Sequence, residues 1–134
     1  RMPRHCENAQ KVAQFLHDDP RVAWVRYSGL ADDPDHKLAL KYLPNGSCGV
    51  MCFGLKGDRE TAIKFMDSLK MIAIVTHVAY ARSCVLHPAS HTHRQLSEEQ
   101  LREAGIAPDL IRLSVGIEDV EDIIDDIRQA LDKI

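Results

Sequence analysis

The sequence predicts an α/β fold, a two-layer sandwich in which helices cover mainly one face of a sheet. Three observations carry this. Short apolar runs of strand length alternate with amphipathic segments of helical period, and Pro, Gly or a capping side chain marks most boundaries. A chain of 134 residues, 45% hydrophobic and 28% charged, matches one ordinary globular domain.

Cys6, Ala9, Val12, Ala13 and Leu16 recur at helical spacing, so the chain opens on an amphipathic helix that Asp18-Asp19-Pro20 stops. Val22 to Tyr27 reads as a strand ended by Ser28-Gly29. Asp32-Asp33-Pro34 then starts a helix that runs through Leu38, Ala39 and Tyr42 to the break at Pro44-Asn45-Gly46. Cys48 to Leu55 is a second, largely buried strand. Asp58 caps the next helix, whose apolar face is Ala62, Phe65, Met66 and Leu69. Met71 to Val78 is the third strand.

A long polar loop with three histidines follows. Ser97-Glu98-Glu99-Gln100 forms a capping box, with Leu96 and Leu101 as its staple and Gly105 as the stop. Leu110 to Ile117 is the last strand. Val120, Ile123, Ile124, Ile127 and Leu131 face the core from a closing helix, with its acids early and Arg128 and Lys133 late, as the macrodipole favours.

A net charge of −3 shows no polybasic signature, so nucleic acid is not an expected partner. No apolar run approaches the roughly 20 residues of a membrane helix, and no signal peptide is legible. The expected location is the cytoplasm, with Cys6, Cys48, Cys52 and Cys84 as reduced, partly buried thiols. Arg1-Met2-Pro3-Arg4 enters a helix with no strand before it, which is compatible with a missing upstream part.

His87, His91 and His93 resemble a metal cluster at first sight. Pro88 and the interleaved Ser and Thr argue for a loop, and no acid or Cys stands at a familiar ligand spacing. These histidines are expected to satisfy loop partners, and no metal is expected. Cys48 and Cys52 would share a sheet face but stand about 13 Å apart, too far to clamp one ion. Cys84, beside Val85 and Leu86, is expected to pack. Asp119, Glu121, Asp122, Asp125 and Asp126 read as a solvated face, and Gly54 to Asp58 as a plain strand-to-helix turn.

Arg112 is different. Period-two alternation sets it opposite Ile111, Leu113 and Val115, beside Leu110 and Ser114. If that face meets another domain, a desolvated guanidinium wants a bidentate carboxylate or phosphate. An exposed strand arginine is the open alternative.

Four segments, Arg4 to Ala9, Thr76 to Ser83, His87 to His93 and Leu110 to Glu118, together resemble the C-terminal domain of the Cys/Met-metabolism family of pyridoxal-phosphate enzymes, nearest its O-acetylhomoserine sulfhydrylase branch. The similarity covers essentially the whole chain. It implies the small C-terminal domain of a fold-type I transferase, behind a large upstream domain that binds pyridoxal 5'-phosphate and supplies the Schiff-base lysine. The implied reaction is γ-replacement of acetate by sulfide to give homocysteine, in methionine biosynthesis. The resemblance also implies a tetramer for the full-length protein and a small amino-acid substrate.

In this chain Arg112 matches the arginine that grips the substrate α-carboxylate, His77 falls where a hydrogen-bonding partner is expected, and Thr92 lies in the loop that faces the active site. No catalytic or cofactor-binding residue is expected here, because Lys56, Lys64 and Lys70 lie outside any matching lysine motif. Tyr80 stands where the pattern leads one to expect Asp. Cystathionine synthases and lyases and methionine γ-lyase share the last two motifs, and a free-standing ligand-binding module stays open as well. A metal-binding protein is the third reading.

Overall fold

The structure, a computed structural model, describes residues 1–134 apart from the Glu98 side chain. In chain order the elements are α1 (Met2–Asp18), β1 (Val22–Arg26), α2 (His36–Tyr42), β2 (Val50–Leu55), α3 (Arg59–Ser68), β3 (Ala73–Ile74), β4 (Cys84–Leu86), α4 (Glu98–Glu103), β5 (Leu110–Ser114) and α5 (Val120–Leu131). The strands form one sheet in the order β1-β2-β5-β4-β3. Every neighbouring pair is antiparallel except β3 with β4, which is parallel.

Helices α1, α3 and α5 pack on one sheet face. Between them and the sheet lies a single core built from Val12, Leu16, Met51, Phe53, Phe65, Ile111, Leu113, Ile123 and Ile127, among others. The two-layer sandwich read from the sequence is therefore the fold observed. Phe53 and Phe65 join the layers edge to face, with ring centroids 5.9 Å apart.

Local chemistry explains most boundaries. Pro3 sits in the first turn of α1, where its missing N–H costs nothing. Asp19 ends that helix in an extended conformation, as the residue before Pro20 prefers. Asp58 accepts from Thr61 N and Ser97 from Gln100 N, and in both caps the third helical residue reciprocates. Gly105 follows α4 at φ +73, the left-handed conformation that a residue without Cβ adopts freely.

Five expectations need correction. Only Ala73 and Ile74 of the Met71–Val78 run pair as a strand, because the chain must leave the sheet to return for a parallel partner. That partner, β4, is a three-residue strand with no readable period; the sequence yielded only the packing of Cys84. The helix expected from Asp32 begins at His36: the buried Asp33 carboxylate accepts from Tyr27 N, Asp35 N and Arg26 Nε, and so builds the turn before the helix. Of its apolar residues only Ala39 is buried, while Leu38 and Tyr42 stay exposed. Cys48 precedes β2 and packs against the core, while Cys52 lies on the opposite sheet face, so the two do not share one.

The fifth correction concerns Asp126, which belongs to no solvated stripe. It is buried and accepts from Lys70 N, Met71 N and Ile72 N, each at 2.9 Å. One carboxylate thus ties the last helix to the turn that launches β3. Asp126→Ala strands the buried Ile72 N–H and two partly buried donors at that turn and is expected to cost about 2–4 kcal/mol of stability, measured by urea unfolding.

Candidate substrate-anchoring site

The sheet face away from the helices carries the row Arg26, Cys52, Arg112, Leu86, one residue from each of four adjacent strands. Its two arginines differ in their partners. Arg26 is neutralised by Asp33 and Asp35, at 3.1 and 2.9 Å. Arg112 is half-buried, and its Nη2 donates to the Thr76 carbonyl at 2.8 Å. Among the described residues no carboxylate forms an ion pair with Arg112. A guanidinium with one edge held by a carbonyl and no counter-charge is suited to a carboxylate ligand. Beside it stands Cys52, a half-buried free thiol. Burial pushes its thiol pKa up, and the charges of Arg112 and Arg26 only partly oppose that.

The return connection from β3 to β4, residues 75–83, crosses this open face over the end of β5. It is fastened at three points. Thr76 O accepts from Arg112, His77 O accepts from Cys84 Sγ at 3.2 Å, and Ala79 N donates to Ser114 Oγ at 3.2 Å. Thr76 to Tyr80 nevertheless remain exposed. The backbone that carries His77 is thus tied to Arg112 through the neighbouring Thr76 carbonyl. The ring of His77 makes its contact with Tyr80, edge to face at 5.4 Å.

The far end of the connection is held by a buried polar clamp. Ser83 N and Oγ donate to the Glu118 carboxylate at 2.6 and 3.0 Å, and Gly116 N donates to Ser83 Oγ. From α1, Asn8 Nδ2 donates to the Gly116 and Glu118 carbonyls, and His5 Nδ1 donates to the Val115 carbonyl at 2.7 Å. A Cβ at Gly116 would run into Glu118 Oε2 and the Ala81 carbonyl, so only glycine fits the crossing. This clamp went unread in the sequence. Its signal was there: His5 and Asn8 interrupt the apolar stripe of α1 at i, i+3 spacing.

Thr92 is exposed, and its hydroxyl pairs with His93 Nδ1 at 2.8 Å. No hydrogen bond among the described residues joins it to Arg112 or His77. What connects its loop to the site is β4, where Leu86 pairs with Arg112 and the chain runs straight on into His87. The loop histidines serve the loop, as their setting suggested. His87 is fully buried, donates from Nε2 to the Pro108 carbonyl at 2.7 Å and accepts at Nδ1 from Ser90. His91 Nδ1 lies 3.0 Å from the His87 carbonyl, and Arg59 donates to Ser90 Oγ. Among the described residues no three His, Cys, Asp or Glu side chains come together as a metal site.

Burial depresses the pKa of His87 below its ordinary value, with Arg59 and His91 adding to the effect and the Pro108 carbonyl opposing it. The unfolded chain therefore binds a proton near pH 6.5 that the folded chain refuses, and stability falls as the pH drops below about 6.5. Urea midpoints at pH 7.5 and 5.5 are expected to differ less in His87→Gln than in the parent. An unchanged difference would clear His87 of this role.

The whole length also has relatives. Residues 1–132 match the family model described as Cys/Met metabolism PLP-dependent enzyme. The chain is 48% identical over its full length to the sulfhydrylase-like protein lolC1 of Epichloe uncinata, covering 28% of that protein. It is 44% identical over 98% of its length to O-acetyl-L-homoserine sulfhydrylase 1 of Thermus thermophilus, covering 31% of it. Among solved structures, it matches one described as an O-acetylhomoserine (thiol)-lyase from Campylobacter jejuni, with a pyridoxyl-lysine monophosphate. That match has a TM-score of 0.91 at 40% identity, over 98% of this chain and 31% of the other. The chain spans about a third of the length of the relatives it matches. No helix among the described residues is long and apolar enough to cross a membrane. A family match over nearly every residue, carried on the same fold, makes this chain a member of the Cys/Met metabolism PLP-dependent enzymes.

Proposed function

We propose that this chain is the substrate-positioning domain of a cytoplasmic O-acetylhomoserine sulfhydrylase, in which Arg112 grips the α-carboxylate of the amino-acid substrate. The observation that carries the reading is the guanidinium on the open sheet face, held by the Thr76 carbonyl and free of a counter-charge among the described residues. The reaction is replacement of the γ-acetate by sulfide, giving homocysteine. Holding the carboxylate at Arg112 orients the rest of the amino acid, so that the Cα–H bond faces the base. His77 supports that end of the substrate with a hydrogen bond, and Thr92 contributes from its loop.

The residues present do not fit the cofactor itself. Every lysine of the chain is exposed, and none accompanies Arg112 in its row. Pyridoxal phosphate, which supplies carbanion stabilisation when bound, is therefore assigned to an upstream domain together with its Schiff-base lysine. The chain alone is inactive on this reading. The full-length enzyme assembles as a tetramer.

In the full-length enzyme Arg112→Ala is expected to remove about 2–5 kcal/mol of transition-state stabilisation, read as a fall in kcat/KM for the amino-acid substrate. An unchanged kcat/KM would take Arg112 out of the site. Treated with pyridoxal phosphate and borohydride, this chain alone is expected to gain no stoichiometric adduct. A single saturable modified lysine would overturn the assignment of the cofactor elsewhere.

A further inference from the structure

We propose that Tyr80 is a positioning residue: it holds the His77 imidazole at the lip of the Arg112 site, and the pair tunes how tightly the amino-acid substrate binds. The proposal rests on the reading of Arg112 as the carboxylate anchor.

The geometry that supports it begins with the backbone. Ala79 has φ +55, the only non-glycine residue among those described with a positive φ. For a residue with a Cβ this conformation is costly, and it persists only where the surroundings hold it. Here they do: Ala79 N is bonded to Ser114 Oγ, while the carbonyls of Thr76 and His77 are bonded to Arg112 and Cys84. The reversal at Ala79 folds residue 80 back over residue 77. Their rings meet edge to face, 5.4 Å between centroids and 69° between planes.

The pair lies outside the core. Tyr80 is 47% exposed and the intervening Val78 is 56% exposed, so burial does not explain why the turn is strained and pinned. The contact that the strained turn does secure is the one between the two rings. An imidazole on an exposed loop loses rotamer freedom when it engages a ligand, and a neighbour that fixes it beforehand reduces that loss. His77 follows directly on Thr76, whose carbonyl accepts from the Arg112 guanidinium, so the backbone that carries the imidazole is tied to Arg112. A pre-set group of this kind acts on binding, and its loss appears chiefly in KM.

The test is a double-mutant cycle in the full-length enzyme, using O-acetylhomoserine and sulfide. Tyr80→Ala and His77→Ala are each expected to raise KM for the amino acid by about 2- to 10-fold, the range for losing one aromatic pair, with a smaller change in kcat. The double variant should be no worse than His77→Ala, and Tyr80→Phe should restore the parent KM. The His77 ring proton, followed by NMR, should lose its ring-current shift in Tyr80→Ala. Additive effects, or an unchanged KM in either alanine variant, would overturn the proposal. Arg112→Ala run in parallel separates the two failures. If it lowers kcat/KM while Tyr80→Ala does nothing, only the role of Tyr80 falls; if Arg112→Ala does nothing, the anchor reading falls and takes the lip with it.

Discussion

The buried clamp around Gly116 is the constraint on which the candidate site depends. Five polar groups converge there: the side chains of His5 and Asn8 from α1, Ser83 from the return connection, Glu118 from the turn after β5, and the backbone of Gly116. His5, Asn8, Ser83 and Gly116 are buried and Glu118 is partly so, and each is hydrogen-bonded within the cluster, Asn8 through Nδ2 while its buried Oδ1 has no partner among the described residues. Their hydrogen bonds fix three things at once. The start of α1 is docked on the end of β5, the turn into α5 is set, and the connection between β3 and β4 is pinned where it crosses the open face.

That crossing gives a sheet arginine a neutral partner. A parallel pair of adjacent strands needs a connection that carries the chain back, and in most folds a helix does this. Here the return is a bare segment lying on the open sheet face, and it brings its own carbonyls and rings to Arg112. The positive charge is held by a neutral acceptor, which leaves its field unspent. Arg26, on the same row two strands away, has spent its charge on Asp33 and Asp35. Two arginines of similar sequence character therefore differ in whether a carboxylate already pairs them, and the difference lies in what the chain brings beside them.

The repeating parts of the fold were legible. Helical stripes such as Val12, Leu16 and Ile123, Ile127 face the core where their period set them, and Asp58, Ser97 and Gly105 cap helices for the local reasons that made them readable. Arg112 was placed on its face by alternation against Ile111 and Leu113. What resisted reading lacks a period or depends on distant groups. Three residues are too few to show that β4 is a strand, and Asp126 looks like its exposed neighbours until the Lys70–Ile72 backbone arrives above it. Leu38 and Tyr42, through which the second helix was read, remain exposed because α2 is held by the turn at Asp33 and packs only Ala39 inward.

By itself, the sequence determined the class of the fold, the caps and faces of its main helices, the face on which Arg112 stands and the resemblance that names its family. Those are properties of neighbours along the chain, set by periodicity, capping chemistry and the types of residue in short segments. The tertiary structure decided the strand order, the parallel β3–β4 pair, the buried roles of Asp126, His5 and Asn8, and the pinned turn that sets Tyr80 against His77. These depend on groups that only the folded chain brings together, and those of Asp126, His5 and Asn8 meet distant backbone in places that water does not reach. Hydrogen bonds and charges have their full consequence only there, and no local pattern reports where those places will be.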